Sequence, residues 1–328
     1  MLQRSYVTTD IGCSSKWVTP TETPIMPVIL TACTQRKRVT PNPLLCARDL
    51  PIGTVGQVAE TWMAKVATVE TVAPAKDIYC GRSFVEAKKA ADSAQAELHI
   101  VSAGLGLIHS QQDIPSYNLT VSKGSQDCIL DKLQDHGDAD WWAALGGHKT
   151  MNDLFDRSSG LIIIALPSPY LRMVAPALQG VSDALCERIR IVGGRDVPDL
   201  NPRLEGVRLP YDDRLDGPQS TLPGTRSDFA SRAVRHFVEN GLATAPLATA
   251  KDHAELVEIA LAGWDRPSSK LGTRMSDSDL KSIVREHWSR ADGRSTKLLR
   301  ILRDELNIAC EQKRFARLTA EIREERAL

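Results

Sequence analysis

Four short segments, "PVILTAC" (27–33), "ELHIVSA" (97–103), "GLIIIALP" (160–167) and "RIRIVGG" (188–194), read as apolar runs. A strand of this kind has no polar face to give to water, so it must be covered on both sides. Helix-like stretches lie over 55–70, 81–96 and 168–181. Apolar strands alternating with helices predict an α/β fold in which a parallel sheet lies between helical layers, a three-layer sandwich. In such sheets ligands sit beyond the carboxyl ends of the strands. That placement gathers four segments at one edge: "CTQRK" (33–37), "GLGLIHSQQD" (104–113), "PSPY" (167–170) and "GGRD" (193–196).

Each segment carries candidate residues. After the first run come Cys33, Thr34, Gln35, Arg36 and Lys37, whose amides, hydroxyl and cations suit a phosphate or a sugar. Cys33 has no general-base partner in the sequence, so it is assigned to the site as a small buried residue rather than a nucleophile. Gly104 and Gly106 let a ligand approach the backbone, but His109 stands where a dinucleotide-binding G-x-G-x-x-G needs its third glycine. No nicotinamide or flavin cofactor is therefore expected. Further on, Asp113 is expected to activate water, Gln112 and His109 to hold a base edge, and Tyr117, followed by Asn118, to stack on a flipped base. The alternative makes Asp113 a turn former and Tyr117 a core lid. Ser168, in a rigid Pro-Ser-Pro turn with Tyr170 beside it, is expected to meet a phosphate. Tyr79 and Arg82 in "DIYCGRSF" join the same set.

The rest of the chain sets the context. Residues 1–26 read as an N-terminal arm, 27–224 as the α/β domain closing in a Pro-, Gly- and Asp-rich connection from 198, and 225–328 as a helical region. With 41 basic and 41 acidic residues, global charge neither demands nor excludes a nucleic acid. Locally, residues 281–328 hold 12 Lys or Arg against 8 Asp or Glu. Their apolar spacing, at Leu298, Leu299, Leu302, Leu306, Ile308, Phe315, Leu318 and Ile322, fits a helix-turn-helix. Its second helix, near 309–322, would offer Lys313, Arg314 and Arg317 to a groove, or serve as a solvated charged face. Seven scattered cysteines without a CxxC pair predict reduced thiols and no zinc or other metal site. No apolar run is long enough to span a bilayer, and a cytoplasmic location is expected.

The order "VILTACTQRK", "AKDIYCGRSFVEAKKAA", "LHIVSAGLGLIHSQQDIPSYNLTVS" resembles a family of bacterial domains, YaaA-like proteins of peroxide stress and uncharacterised relatives, over about residues 27–122. Related domains in archaeosine-type tRNA-modifying enzymes look like the uracil-DNA glycosylase fold, which implies a base-handling pocket. "QQDIPSY" is similar to the Gln-Asp-Pro-Tyr segment of those glycosylases, implying Asp113 as the water-activating carboxylate. "PSPY" is similar to their phosphate-gripping loop, implying Ser168. Asp113 departs from the pattern by following the second strand, and Ile114 interrupts the motif. The chain also looks like phage-defence DNA glycosylases. The expectation is a DNA glycosylase that flips out and excises a modified base, with no cofactor, no membrane and no obligate protein partner. A tRNA base-exchange enzyme and a non-catalytic nucleic-acid-binding regulator are the alternatives.

Overall fold

A computed structural model of the protein describes residues 26–134, 137–268 and 272–327. The arm expected over 1–26 lies outside the described residues apart from Met26. The chain begins with β1 (Val28–Ala32), α1 (Val55–Thr68), β2 (Ala73–Pro74), α2 (Ala75–Ile78), α3 (Arg82–Ala94), β3 (Glu97–Ser102), β4 (Gly106–His109) and β5 (Asp113–Ile114). It continues through α4 (Asp138–Ala144), α5 (Gly147–Arg157), β6 (Ile162–Ala165), α6 (Ser168–Val174), α7 (Asp183–Glu187), β7 (Ile189–Val192), α8 (Phe229–Phe237) and α9 (Ala250–Leu261).

The main sheet has the order β4-β3-β1-β6-β7, parallel throughout except for β4. The four apolar runs are β1, β3, β6 and β7. This is an α/β protein with a mainly parallel five-stranded sheet packed against helices. Every residue of β1, β6 and β7 is buried, so both faces need cover. Two helix groups supply it: α3 and α8, which pack on each other and on β1 and β6, and α1, α4, α5 and α6. Ile29 and Leu30 are fully enclosed, each burial contributing roughly 1.5–3 kcal/mol.

Local sequence starts the helices where the sheet needs them. Thr54 caps α1 in a reciprocal box with Gln57, and Thr249 caps α9 in the same way with Asp252. Each box satisfies two otherwise orphaned backbone amides.

One strand departs from the sequence reading. Residues 104–113 do not form a loop beyond the carboxyl end of β3. Gly106, at φ +70°, ends a tight turn, and "GLIH" folds back antiparallel on β3, with Ser102 opposite Gly106 and His99 opposite His109. A polar stretch that follows a returning strand is carried towards the other edge of the sheet. Three residue steps at about 3.3 Å each move His109 roughly 10 Å back from the end of β3.

Trp264 ends one compact unit and Asp265 begins another. The helices α8 and α9, assigned from sequence to the C-terminal helical region, pack in the first unit. The second unit contains β8 (Thr273–Arg274), α10 (Asp277–Glu286), α11 (Ser295–Arg300), β9 (Ile308–Ala309) and α12 (Gln312–Ala327), with β8 and β9 paired in parallel. Leu280, Val284, Leu298, Leu302, Phe315, Leu318 and Ile322 form its own core. Among the described residues no helix is long and apolar enough to cross a membrane.

Candidate functional site

The sheet reverses its winding between β1 and β6. The connection from β1 leads to β3 on one side, and the connection from β6 leads to β7 on the other. Adjacent strands that diverge in this way leave a crevice beyond their carboxyl ends, where open α/β sheets bind ligands. Residues from both strand exits meet there. The Cys33 Sγ, just past β1, lies 3.2 Å from the hydroxyl of Tyr170 in α6, and the Ala103 amide donates to the same sulfur at 3.5 Å.

A buried hydroxyl chain underlies this crevice. Ser102 Oγ, at the end of β3, accepts from the amides of Gly104 at 3.2 Å and Leu105 at 3.0 Å. Both lone pairs are then used, so its hydrogen goes to the Tyr117 hydroxyl, 2.6 Å away. The Tyr117 hydroxyl also bonds to that of Tyr79, at 2.8 Å, where either can be the donor. Burial, foremost, pushes the phenols of Tyr79, Tyr117 and Tyr170 above the ordinary tyrosine value, so all three stay neutral.

Three tryptophans fix the turn that carries Ser102. The indole of Trp142 donates to the Ser102 carbonyl at 3.1 Å, Trp141 to Ala103 at 2.7 Å and Trp62 to Gly104 at 2.6 Å. Gly104 is required by the packing: a Cβ there would lie 2.7 Å from Cε2 of Tyr117. Tyr117 is fully buried, with Gly104 and the edge of Trp62 against its ring. It cannot stack on a flipped base in this conformation, which corrects the first expectation for it and favours the core-lid alternative. Tyr79 and Tyr170 are likewise buried.

Lys37 lies on this tyrosine floor. Its Nζ is 4.5 Å from the ring centroid of Tyr117 and 5.7 Å from that of Tyr79, to whose backbone Lys37 is bridged. Among the described residues the amine donates to the carbonyls of Thr34, at 3.4 Å, and Gln35, at 3.5 Å. No carboxylate among the described residues pairs with it. Burial pushes the amine below the ordinary lysine value, with Cys33, Asp127 and Cys80 acting in the opposite direction.

Several other expected ligand contacts prove to be committed elsewhere. Thr34 Oγ1 donates to the Arg36 carbonyl and accepts from the Gly81 amide. Ser168 Oγ donates to the Arg195 carbonyl at 2.6 Å, so its hydrogen ties α6 to "GGRD" instead of awaiting a phosphate. Arg82 pairs with Asp228 at 3.3 Å and bonds to the Pro223 carbonyl. Asn118 is a backbone partner of Leu45 and Ala47. The run Arg36, Lys37 and Arg38 has no ion-pair partner among the described residues. Beyond β6 and β7, a cleft of about 400 Å³ is lined by Ser168, Gly193, Arg195, Asp213, Arg226 and neighbours.

Asp113, Gln112 and His109 are not brought to this place. Asp113 is exposed on β5 opposite Pro74, with no hydrogen-bond or ion-pair partner among the described residues. The expectation that "HSQQD" flanks the ligand-binding edge fails because β4 intervenes. In the second unit Arg314 and Arg317 are both held by Asp277 at 2.6 Å, which leaves Lys313 as the free cation of the three. Ser102 and the three tryptophans escaped the sequence reading. Ser102 sits inside an apolar run, and the tryptophans have no common spacing.

One cluster among the described residues has the donors to hold a metal. Glu97, His99 and His109 bring one ligand atom each to within 4.8 Å of one another. Their hydrogen bonds compete with that role: His99 Nε2 meets Glu97 at 3.2 Å, and His109 Nδ1 accepts from the Gln111 amide at 3.2 Å, which puts its proton on Nε2.

A family model described as a family of unknown function (DUF6884) matches residues 64–134, the stretch that carries Tyr79, Ser102, Gly104 and Tyr117. No curated protein and no solved structure matches the chain.

Proposed function

We propose that this protein is a nucleic-acid enzyme that cleaves the N-glycosidic bond of a modified nucleotide, most directly in DNA. The observation that carries this reading is the run Arg36-Lys37-Arg38: three consecutive cations, none ion-paired among the described residues, just past the central strand at the switch point of the sheet. Unpaired cations at a rigid strand exit attract phosphates, and a switch-point crevice admits a nucleotide. The resemblance to glycosylase-like domains adds the bond that is broken. The segments "VILTACTQRK", "AKDIYCGRSFVEAKKAA" and "LHIVSAGLGLIHSQQDIPSYNLTVS" carry the resemblance to the YaaA-like family, and the likeness to the glycosylases themselves lies in "QQDIPSY" and "PSPY". Lys313 in the second unit supplies sequence-tolerant contact to the backbone.

On this reading Arg36 and Arg38 bind the phosphates, and Asp113, which lies past the returning strand, stays outside the reacting set. Incubation with a panel of modified DNAs, read by mass spectrometry for free base, tests this. Wild type releases base from at least one substrate; Arg36→Ala releases it at least about tenfold more slowly at low substrate, through lost phosphate contact. Asp113→Ala keeps the rate. No release from any modified DNA overturns the reading.

A further inference from the structure

Resting on that reading, we infer that Lys37 Nζ is the nucleophile of the reaction and forms an imine with the sugar, so that the enzyme is a glycosylase and an abasic-site lyase. The other lysines with close partners show the usual arrangement. Lys88 meets Asp92, Lys89 meets Glu86, Lys149 meets Asp153, Lys281 meets Glu321 and Lys297 meets Asp292, each at 3.3 Å or less. Lys37 has no such partner. Its neighbour Asp127 is taken by Arg48, with contacts of 2.7 Å to one carboxylate oxygen and 3.0 Å to the other. Two buried rings lie beneath the amine where an acid would usually stand, their hydroxyls linked to each other and to Ser102; a ring face attracts the ammonium form, and burial opposes it.

An amine half-withdrawn from water and unmatched by a carboxylate is the arrangement that yields a neutral nucleophile near physiological pH. Burial of Lys37 acts in that direction. The competing nucleophiles are placed worse. Cys33 is buried against Tyr170 and Ala103, and Asp113 lies past the returning strand.

The chemistry balances without a cofactor. The Nζ lone pair forms a bond to C1′ as the C1′–N bond breaks, and the base leaves with that electron pair and is protonated by solvent. Nζ then loses a proton, its lone pair forms the C1′=N bond, and the C1′–O4′ bond breaks as O4′ is protonated. Water adding to the imine returns the free lysine and an aldehyde. Before that hydrolysis, loss of a C2′ proton can place its electron pair in a C2′=C3′ bond as the C3′–O bond breaks and the 3′ phosphate leaves, and water then releases the unsaturated aldehyde from lysine.

Borohydride trapping reads the imine directly. The full chain is incubated with duplex and single-stranded oligonucleotides carrying a preformed abasic site, in the presence of sodium borohydride. Covalent protein–DNA product is followed on a denaturing gel, and the modified peptide is identified by mass spectrometry. The expected result is an adduct on Lys37, reduced at least about tenfold in Lys37→Met and Lys37→Arg and unchanged in Asp113→Ala. Melting curves of both Lys37 variants separate lost chemistry from lost folding. The trapping rate of the wild type levels off at a lower pH than that of an exposed lysine.

No adduct with wild type, an adduct on another lysine, or undiminished trapping in folded Lys37→Met overturns the inference. Base release from modified DNA without trapping overturns it while leaving glycosidic cleavage intact. Trapping on Lys37 without base release from any substrate supports the nucleophile and removes the cleavage reading.

Discussion

Ser102→Ala perturbs the site where its structure is most interdependent. In the wild type one buried oxygen accepts from the amides of Gly104 and Leu105 and donates to Tyr117. Alanine leaves both amides without that acceptor, one fully buried and one half-buried. A buried donor left unsatisfied costs about 1–3 kcal/mol, and the lost hydrogen bond to Tyr117 adds about 1 kcal/mol. The expected destabilisation is about 3 kcal/mol, or about 6–12 °C in melting temperature for a unit of this size. Urea unfolding followed by tryptophan fluorescence is a suitable assay, because Trp62, Trp141 and Trp142 all hydrogen-bond to the same turn. Tyr117→Phe alone is expected to cost about 1–2 kcal/mol, since Ser102 and Tyr79 both lose their hydrogen-bond partner. The double variant should then cost about 1 kcal/mol less than the sum, because both changes remove one shared bond. Ser102→Ala within about 0.5 kcal/mol of wild type, or strict additivity in the cycle, would refute the directional hydroxyl chain.

Gly104→Ala places a methyl group 2.7 Å from Tyr117 Cε2 and is expected to cost about 1–3 kcal/mol by overpacking, read as a shifted urea midpoint; an unshifted midpoint means the ring is free to move. His99 titrates at about 4 because burial disfavours its charged form, whereas the unfolded chain takes up the same proton near 6.5. Its contribution to stability is therefore complete above about 6.5 and falls by on the order of 2–3 kcal/mol as pH drops towards 4. Urea midpoints of wild type and His99→Gln at neutral pH and near pH 5 check this, with the flatter profile expected in the variant. Lys313→Ala should weaken DNA binding uniformly across sequences and reduce the salt slope by about one; an unchanged slope removes Lys313 from the interface.

The sheet was legible because its physical cause is local. A strand buried on both faces must be apolar along its length, and "VILTA", "ELHIVS", "IIIA" and "IRIV" announce themselves within a few residues. The edge beyond the carboxyl ends of the strands followed from the same alternation of strands and helices, and Cys33 and Lys37 follow β1 there. The β4 strand was missed because four residues between a glycine turn and a polar stretch look like a loop until a neighbour pairs with them.

What the sequence determined by itself is therefore the parallel α/β frame and the strand exits where chemistry is possible. Tertiary structure alone decided which exposed-looking groups are available. It turned "HSQQD" away behind an antiparallel strand, committed the hydroxyls of Thr34 and Ser168 to backbone carbonyls, and tied Arg314 and Arg317 to Asp277. It also joined Ser102, Tyr117 and Tyr79 into the floor under Lys37. Apolar periodicity records whether a residue is buried. The partner a polar group finds across tens of residues leaves no local pattern, so only the folded chain reveals it.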